Sequence, residues 1–252
     1  MTYNKLLTDM MIRGGNWGNM RKDRKIKAPF FEIGPKAYLY GDDVLELAKI
    51  ADAASAKYDV DIIFTTPFTQ IRRVSENTEN IFVFAPHMDP IKPGKGLTDI
   101  LPEEIASCGA SGVMLNHSER AVTYTVLKKT IARAKEVGLM TIVCADSIDE
   151  IKATALLKPD IIVAEPVELI GTGVTSEKGY VMASIDAVKE IDSDILVLQG
   201  AGIKSYDDVY KTIFLGAEAT GSSSGVATAA DKAAIVDDMI RAVREAWDAR
   251  NK

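Results

Sequence analysis

The chain is poor in the residues that would commit it to disulfide, thiolate-metal or membrane chemistry. Of its 252 residues only two are cysteine, Cys108 and Cys144, and only two are histidine, His87 and His117. Neither a disulfide framework nor a cysteine-rich zinc site can be built from that stock, and a reducing, cytoplasmic setting fits it. Cys144 has no histidine near it in sequence, so it reads as a small buried residue rather than a nucleophile. Long hydrophobic runs are missing too: none approaches the roughly 20 residues that cross a bilayer. The first residues, interrupted by Asn4, Lys5, Asp9 and Arg13, do not read as a signal-peptide core. Positive charge is not in excess. With 30 Lys and Arg against 36 Asp and Glu, the net charge of -6 argues against nucleic acid as the principal partner.

What is present is ordinary globular composition, 47% hydrophobic and 26% charged, enough to bury a sizeable core in one domain. Short runs rich in Ile, Val and Phe alternate with longer segments of helical periodicity. Strands are expected at Pro29 to Gly34, Asp61 to Thr66, Ile81 to Pro86, Gly112 to Asn116, Met140 to Ala145, Asp160 to Ala164, Ile195 to Gly200 and Ala217 to Gly221. Between them Val44, Leu47, Ala48 and Ala51 share one helical face, as do Ile235, Met239, Val243 and Trp247 near the end. Apolar strands separated by helices imply an α/β fold with a helix-covered parallel sheet, and eight units over residues 29–252 fit a closed (β/α)8 barrel. A doubly wound open sheet shares much of the pattern. Residues 1–28 stand outside the rhythm: seven basic and two acidic residues make them a basic N-terminal extension. Packing on a neighbour or on the barrel's bottom is one role for that arm; reaching an active site is the other.

Chemistry in such a barrel gathers at the carboxyl ends of the strands. Lys36 follows the first strand, His117 the fourth and Glu165 the sixth, so all three face one mouth. Carboxylate, imidazole and ammonium together suit proton abstraction beside a carbonyl, with the imidazole hydrogen-bonding the oxygen and the lysine stabilising the enediolate. No metal or organic cofactor is needed. Singly, each also reads as an ordinary loop or structural residue. Three small-residue turns, Gly171-Thr172-Gly173, Gly200-Ala201-Gly202 and Gly221-Ser222-Ser223-Ser224-Gly225, follow the last strands and free backbone amides that can bind a phosphate dianion. Ordinary βα turns are also rich in small residues.

Two longer segments carry a resemblance. Asn116-His117-Ser118-Glu119 and Glu165-Pro166-Val167-Glu168-Leu169-Ile170-Gly171-Thr172-Gly173-Val174 resemble the signature segments of triosephosphate isomerases, in the same order. Pro35-Lys36-Ala37-Tyr38-Leu39, Gln199-Gly200-Ala201-Gly202-Ile203, Ser223-Ser224-Gly225-Val226 and the loop opening His87-Met88-Asp89-Pro90 are similar to the short, archaeal-type branch of that family. The resemblance covers about residues 29–245. It implies interconversion of dihydroxyacetone phosphate and D-glyceraldehyde 3-phosphate, with Glu165 as base, His117 as neutral electrophile, Lys36 as cationic stabiliser and Glu119 holding Lys36. Ser118 would position the base in the open state. Ile170, Gly171, Gly202, Ser223 and Ser224 would contact the phosphate, residues 166–174 would close as a lid, and the protein would form a homodimer or homotetramer.

The chain also departs from the family pattern. Gly34 stands two residues before the lysine where the family usually has Asn, and the serines at 222–224 make their turn unusually polar. A pocket wall opened at Gly34 would admit a longer ketose phosphate, so a related isomerase of a four-carbon sugar phosphate is an alternative. A barrel that only binds a phosphosugar is another, and the retention of Lys36, His117, Glu119 and Glu165 argues against it.

Overall fold

The computed structural model describes residues 24–252. Eight parallel strands, Phe30–Ile33 (β1), Asp61–Thr65 (β2), Phe82–Ala85 (β3), Gly112–Leu115 (β4), Met140–Ala145 (β5), Ile161–Ala164 (β6), Leu196–Gln199 (β7) and Ala219–Ser222 (β8), form a closed barrel in sequence order. Closure is made by β1, which pairs with β2 on one side and with β8 on the other. The fold is a (β/α)8 barrel, not the open sheet that shares its pattern.

Each strand is followed by a helix that covers it from outside. The helix Asp42–Tyr58 buries Val44, Leu47, Ala48 and Ala51 against the sheet, the face expected from their spacing. The last helix, Lys232–Arg250, fully buries Met239 and Val243, with Ile235 and Trp247 partly buried at its edge. Several helices start where a side chain caps a freed backbone amide. Ser147 accepts from Glu150 N–H while Glu150 accepts from Asp146 N–H, and Ser205 and Asp208 make the equivalent exchange ahead of Tyr206–Phe214.

Alternation along the strands sorts the side chains into two layers. Phe30, Ile63, Phe82, Phe84, Ile142, Cys144, Val163, Leu198 and Ala219 fill the barrel's interior, so it is a packed core rather than a pore. Phe31, Ile33, Ile62 and Phe64 point the other way, into the layer beneath the helices. The observed β8 begins two residues later than the Ala217 to Gly221 expected. Its register is set by β1, which pairs Phe30 with Ala219 and Ile33 with Ser222, rather than by its own weak apolar pattern.

Most of the basic extension, residues 1–23, lies outside the described residues. Its last part is held at the amino ends of the strands: Arg24 pairs with Asp61 at 2.7 Å and lies over the Phe82 ring, Lys27 N–H donates to Asp61 at 2.9 Å, and Ile26 joins the interior cluster. No helix among the described residues is long and apolar enough to cross a membrane.

One polar junction ties the outer layer together. Arg133, only 7% exposed, donates to Glu103 at 2.7 Å, to Glu136 at 2.6 Å and to the Ile91 carbonyl at 2.9 Å, joining two helices and the long loop after β3. Its removal would strand Glu103, whose second oxygen is already unpartnered. Arg133→Met is therefore expected to cost about 3 kcal/mol, read by urea unfolding. A loss below about 1 kcal/mol would show that the junction behaves as an exposed ion pair.

Candidate active site

The barrel brings the carboxyl ends of its strands to one rim, and the residues just beyond them line a single cavity of about 660 Å³. Lys36 stands three residues after β1, His117 two after β4, and Glu165 directly after β6. Gly202 and Ser223 follow β7 and β8. Lys36, His117, Glu119, Glu165, Ile170, Gly171, Gly202, Ser223 and Ser224 all face this cavity. Ser118 does not. It opens the short turn Ser118–Arg120, is exposed, and forms no side-chain hydrogen bond among the described residues.

The positions of the charged groups follow from local backbone choices. Lys36 adopts a left-handed conformation (φ 48°), uncommon for a residue with a side chain, and its ammonium donates to Glu119 Oε1 at 2.8 Å across the mouth. That bond is the main reason Glu119 ionises below its ordinary range, against a smaller opposing effect of burial. Asn116, also left-handed, spans two neighbours: its amide donates to the Cys144 carbonyl at 3.0 Å and accepts from Val122 N–H at 3.1 Å. This clamp fixes the bend from which His117 emerges.

His117 caps the short turn it precedes. Its Nδ1 accepts from the Glu119 backbone N–H at 3.1 Å, which leaves the ring proton on Nε2. Burial, reinforced by the Lys36 ammonium, holds the imidazole below its usual pKa, and Glu119 only partly opposes this. The ring is neutral near pH 7 and has one N–H to donate. Glu165 is shifted the other way: burial raises its pKa, Lys36 lowers it and Glu119 adds to the rise. Its carboxylate lies against Gly200, where an added Cβ would come within 2.6 Å of Oε1. A glycine at that place is a requirement of the carboxylate's position.

The small-residue turns border the same space. Gly171 and Gly173 both take positive φ in an exposed segment, and Gly202 (φ 79°) passes so close to Val174 that a Cβ would overlap its carbonyl. Ser176 donates to the Gly200 carbonyl at 2.7 Å, tying the end of that segment to the turn after β7. Ser222 donates to Ile203 O at 2.8 Å and Ser223 to Gly34 O at 2.6 Å. The polar serine run thus stitches β8 to its two neighbours.

Gly34 does not simply open the wall. The Glu32 carboxyl reaches into that space, with Oε1 3.0 Å from the point where a Cβ on residue 34 would stand. Glu32 and Lys204 are lining residues that the motif reading passes over. A signal for Glu32 existed: it is the one charged residue in β1, and it shares the inward parity of Phe30. Lys204 follows the Gly200-Ala201-Gly202 turn and rests against Gly173. A lone cation after a glycine turn was the only hint.

Comparison with known proteins agrees with this geometry. A family model described as triosephosphate isomerase matches residues 36–243. The triosephosphate isomerase of Sulfolobus acidocaldarius is 37% identical over 231 residues, 90% of this chain and all of that protein. Those of Sulfurisphaera tokodaii and Methanocaldococcus jannaschii are 39% and 40% identical, over 85% and 80% of this chain and 95% and 93% of their own lengths. With a family model that matches most of the chain and relatives of this similarity along nearly their whole length, the chain belongs to the triosephosphate isomerase family.

Proposed function

We propose that this protein interconverts dihydroxyacetone phosphate and D-glyceraldehyde 3-phosphate through an enediol. The observation that carries the reading is the state of His117. Its Nδ1 is occupied by the Glu119 amide, so a neutral ring turns its N–H toward the cavity shared by Glu165 and Lys36. A glutamate base beside a neutral histidine is the known chemistry of triosephosphate isomerases.

In this reading Glu165 removes a proton from the carbon beside the substrate carbonyl and returns it to the neighbouring carbon. His117 donates a hydrogen bond to the oxygen on which negative charge develops, and the Lys36 ammonium stabilises that charge. Glu119 keeps Lys36 aimed across the mouth. Burial raises the affinity of Glu165 for the proton, which makes it a stronger base once ionised. Ile170, Gly171, Gly202, Ser223 and Ser224 hold the phosphate, chiefly through backbone amides. Residues 166–174 close over the bound substrate and shut out water. A small sugar phosphate is the only partner the chemistry requires, and a cytoplasmic homodimer or homotetramer accords with the reading.

Three measurements test it. Glu165→Asp withdraws the carboxylate by about one carbon–carbon bond, so kcat should fall by about 100-fold while folding is kept; unchanged turnover would remove Glu165 from the role of base. Gly200→Ala pushes a methyl group against Oε1 of the same carboxylate. Its kcat should drop by about 10-fold or more with KM little changed, and an unaffected kcat would mean the base needs no such clearance. Limited proteolysis within 166–174 should slow in the presence of dihydroxyacetone phosphate. Equal cleavage with and without it would count against a closing lid.

A further inference from the structure

Lys204 is a cation on the cavity wall to which the mechanism above assigns nothing. It stands just beyond the Gly200-Ala201-Gly202 turn that follows β7, and two further glycine turns press on it from either side. From the turn after β8, Gly225 comes so near that an added Cβ would stand 3.2 Å from Lys204 Cα. At its other end, Nζ and Cε of Lys204 occupy the space that a Cβ on Gly173 would need. The side chain thus runs from the β8 turn to the segment 166–174, across the corner where the turns after β6, β7 and β8 meet.

Nothing in that corner uses its charge. The nearby Asp208 carboxylate accepts from the Lys204 backbone N–H at 3.0 Å and from the Ser205 hydroxyl at 2.8 Å, both at Oδ2, as part of a helix cap. Among the described residues the Lys204 ammonium closes no ion pair, and the residue is exposed. The other cations of the cavity wall are engaged elsewhere. Lys36 is bound to Glu119 at 2.8 Å, and Arg120 follows β4, which stands opposite β8 in the ring of eight strands, where its charge acts on His87 and Asp89.

A phosphate dianion entering this cavity meets three glutamates, Glu32, Glu119 and Glu165, and a lysine already balanced by one of them. Backbone amides fix where the phosphate oxygens sit, but they carry only partial charges. A lysine adds a full positive charge without imposing a planar geometry, and it can reach phosphate oxygens from the side the amides leave open. Because Gly173 has no side chain, the ammonium lies directly against the backbone of the segment that would close over the ligand. The group that attracts the dianion is therefore in contact with the segment that must cover it.

We infer that Lys204 binds the substrate's phosphate and ties residues 166–174 to it, so that the site selects its ligands by phosphate charge as well as by the shape of its turns. The inference rests on the isomerase reading above and adds to it a charged contact that the glycine and serine turns do not supply. No covalent bond is made or broken: the ammonium keeps its protons and donates hydrogen bonds to phosphate oxygens.

The test uses the full chain, with inorganic phosphate as the probe, in the wild type, Lys204→Met and Lys204→Glu. Methionine keeps the unbranched apolar stem and removes the charge, glutamate reverses it, and the exposed position lets both variants fold. The Kd for phosphate, read by NMR titration, should rise about 10-fold in Lys204→Met, the effect of one lost charged hydrogen bond, and further in Lys204→Glu. The value of kcat/KM for D-glyceraldehyde 3-phosphate should fall in the same order. Added salt should weaken phosphate binding more in the wild type than in Lys204→Met. Phosphate should also slow limited proteolysis within 166–174, at a concentration that moves with the Kd of each variant. A Kd unmoved in both variants would overturn the inference, and equal rises in Met and Glu would do so too, since shape rather than charge would then be at work. Cleavage that phosphate slows equally well in all three proteins would break the tie to the segment. Failure of the wild type to turn over the triose would count against the isomerase reading alone, because the phosphate Kd is read without turnover.

Discussion

Closure of the sheet by the pairing of β1 with β8 is the constraint on which the rest depends. Phe30 to Ile33 lie in register with Ala219 to Ser222, which brings the first and last strands of the chain side by side. Ser223 can then donate to Gly34 across a separation of 189 residues, and Glu32 rests between Gly34 and Gly221. An open sheet built from the same strands would leave Lys36 and the serine turn on opposite edges. The rim that hosts the chemistry exists only because the ring is closed.

Within that rim the electrostatics are organised around one ammonium. Lys36 lowers the pKa of Glu119 and His117 and restrains the rise in Glu165 and Glu32. Burial works against every one of these charges, because the cavity floor is apolar and the helices seal the strands from outside. One cation and several carboxyls in a partly dry cavity cannot all take their ordinary states. The carboxyl nearest Lys36 therefore ionises, the imidazole stays neutral, and the deepest carboxyl holds its proton to about pH 7.

Glycine and serine do the complementary work of making room. Gly200 clears the Glu165 carboxylate, Gly202 lets the Val174 backbone pass close by, and Gly34 gives its space to Glu32. The serines after β8 spend their hydroxyls on backbone carbonyls of neighbouring turns. Ser223 and Ser224 line the cavity, where the phosphate of the proposed substrate would lie.

The eight strands and the helical faces between them were legible because each depends on a local period of two or of 3.6 residues. Met140–Ala145 reads as a strand from its own side chains, and Val44, Leu47, Ala48 and Ala51 declare a buried stripe without help from the rest of the chain. The placing of Lys36, His117 and Glu165 at the ends of the first, fourth and sixth strands was equally plain, since each stands within three residues of such a run. The β8 boundary was not, because Ala219–Ser222 has little apolar character and takes its limits from β1. Nor could the tautomer of His117, the 2.8 Å bond between Lys36 and Glu119, or the place of Glu32 be read from residue order. Lys36 and Glu119 stand 83 residues apart and meet only when the barrel closes, and the His117 tautomer depends on the exact backbone of the turn that places Glu119 N–H on its ring. Local periodicity carries the elements and the choice of chemical groups, whereas distance, burial and proton state are properties of the space between strands and came only with the tertiary structure.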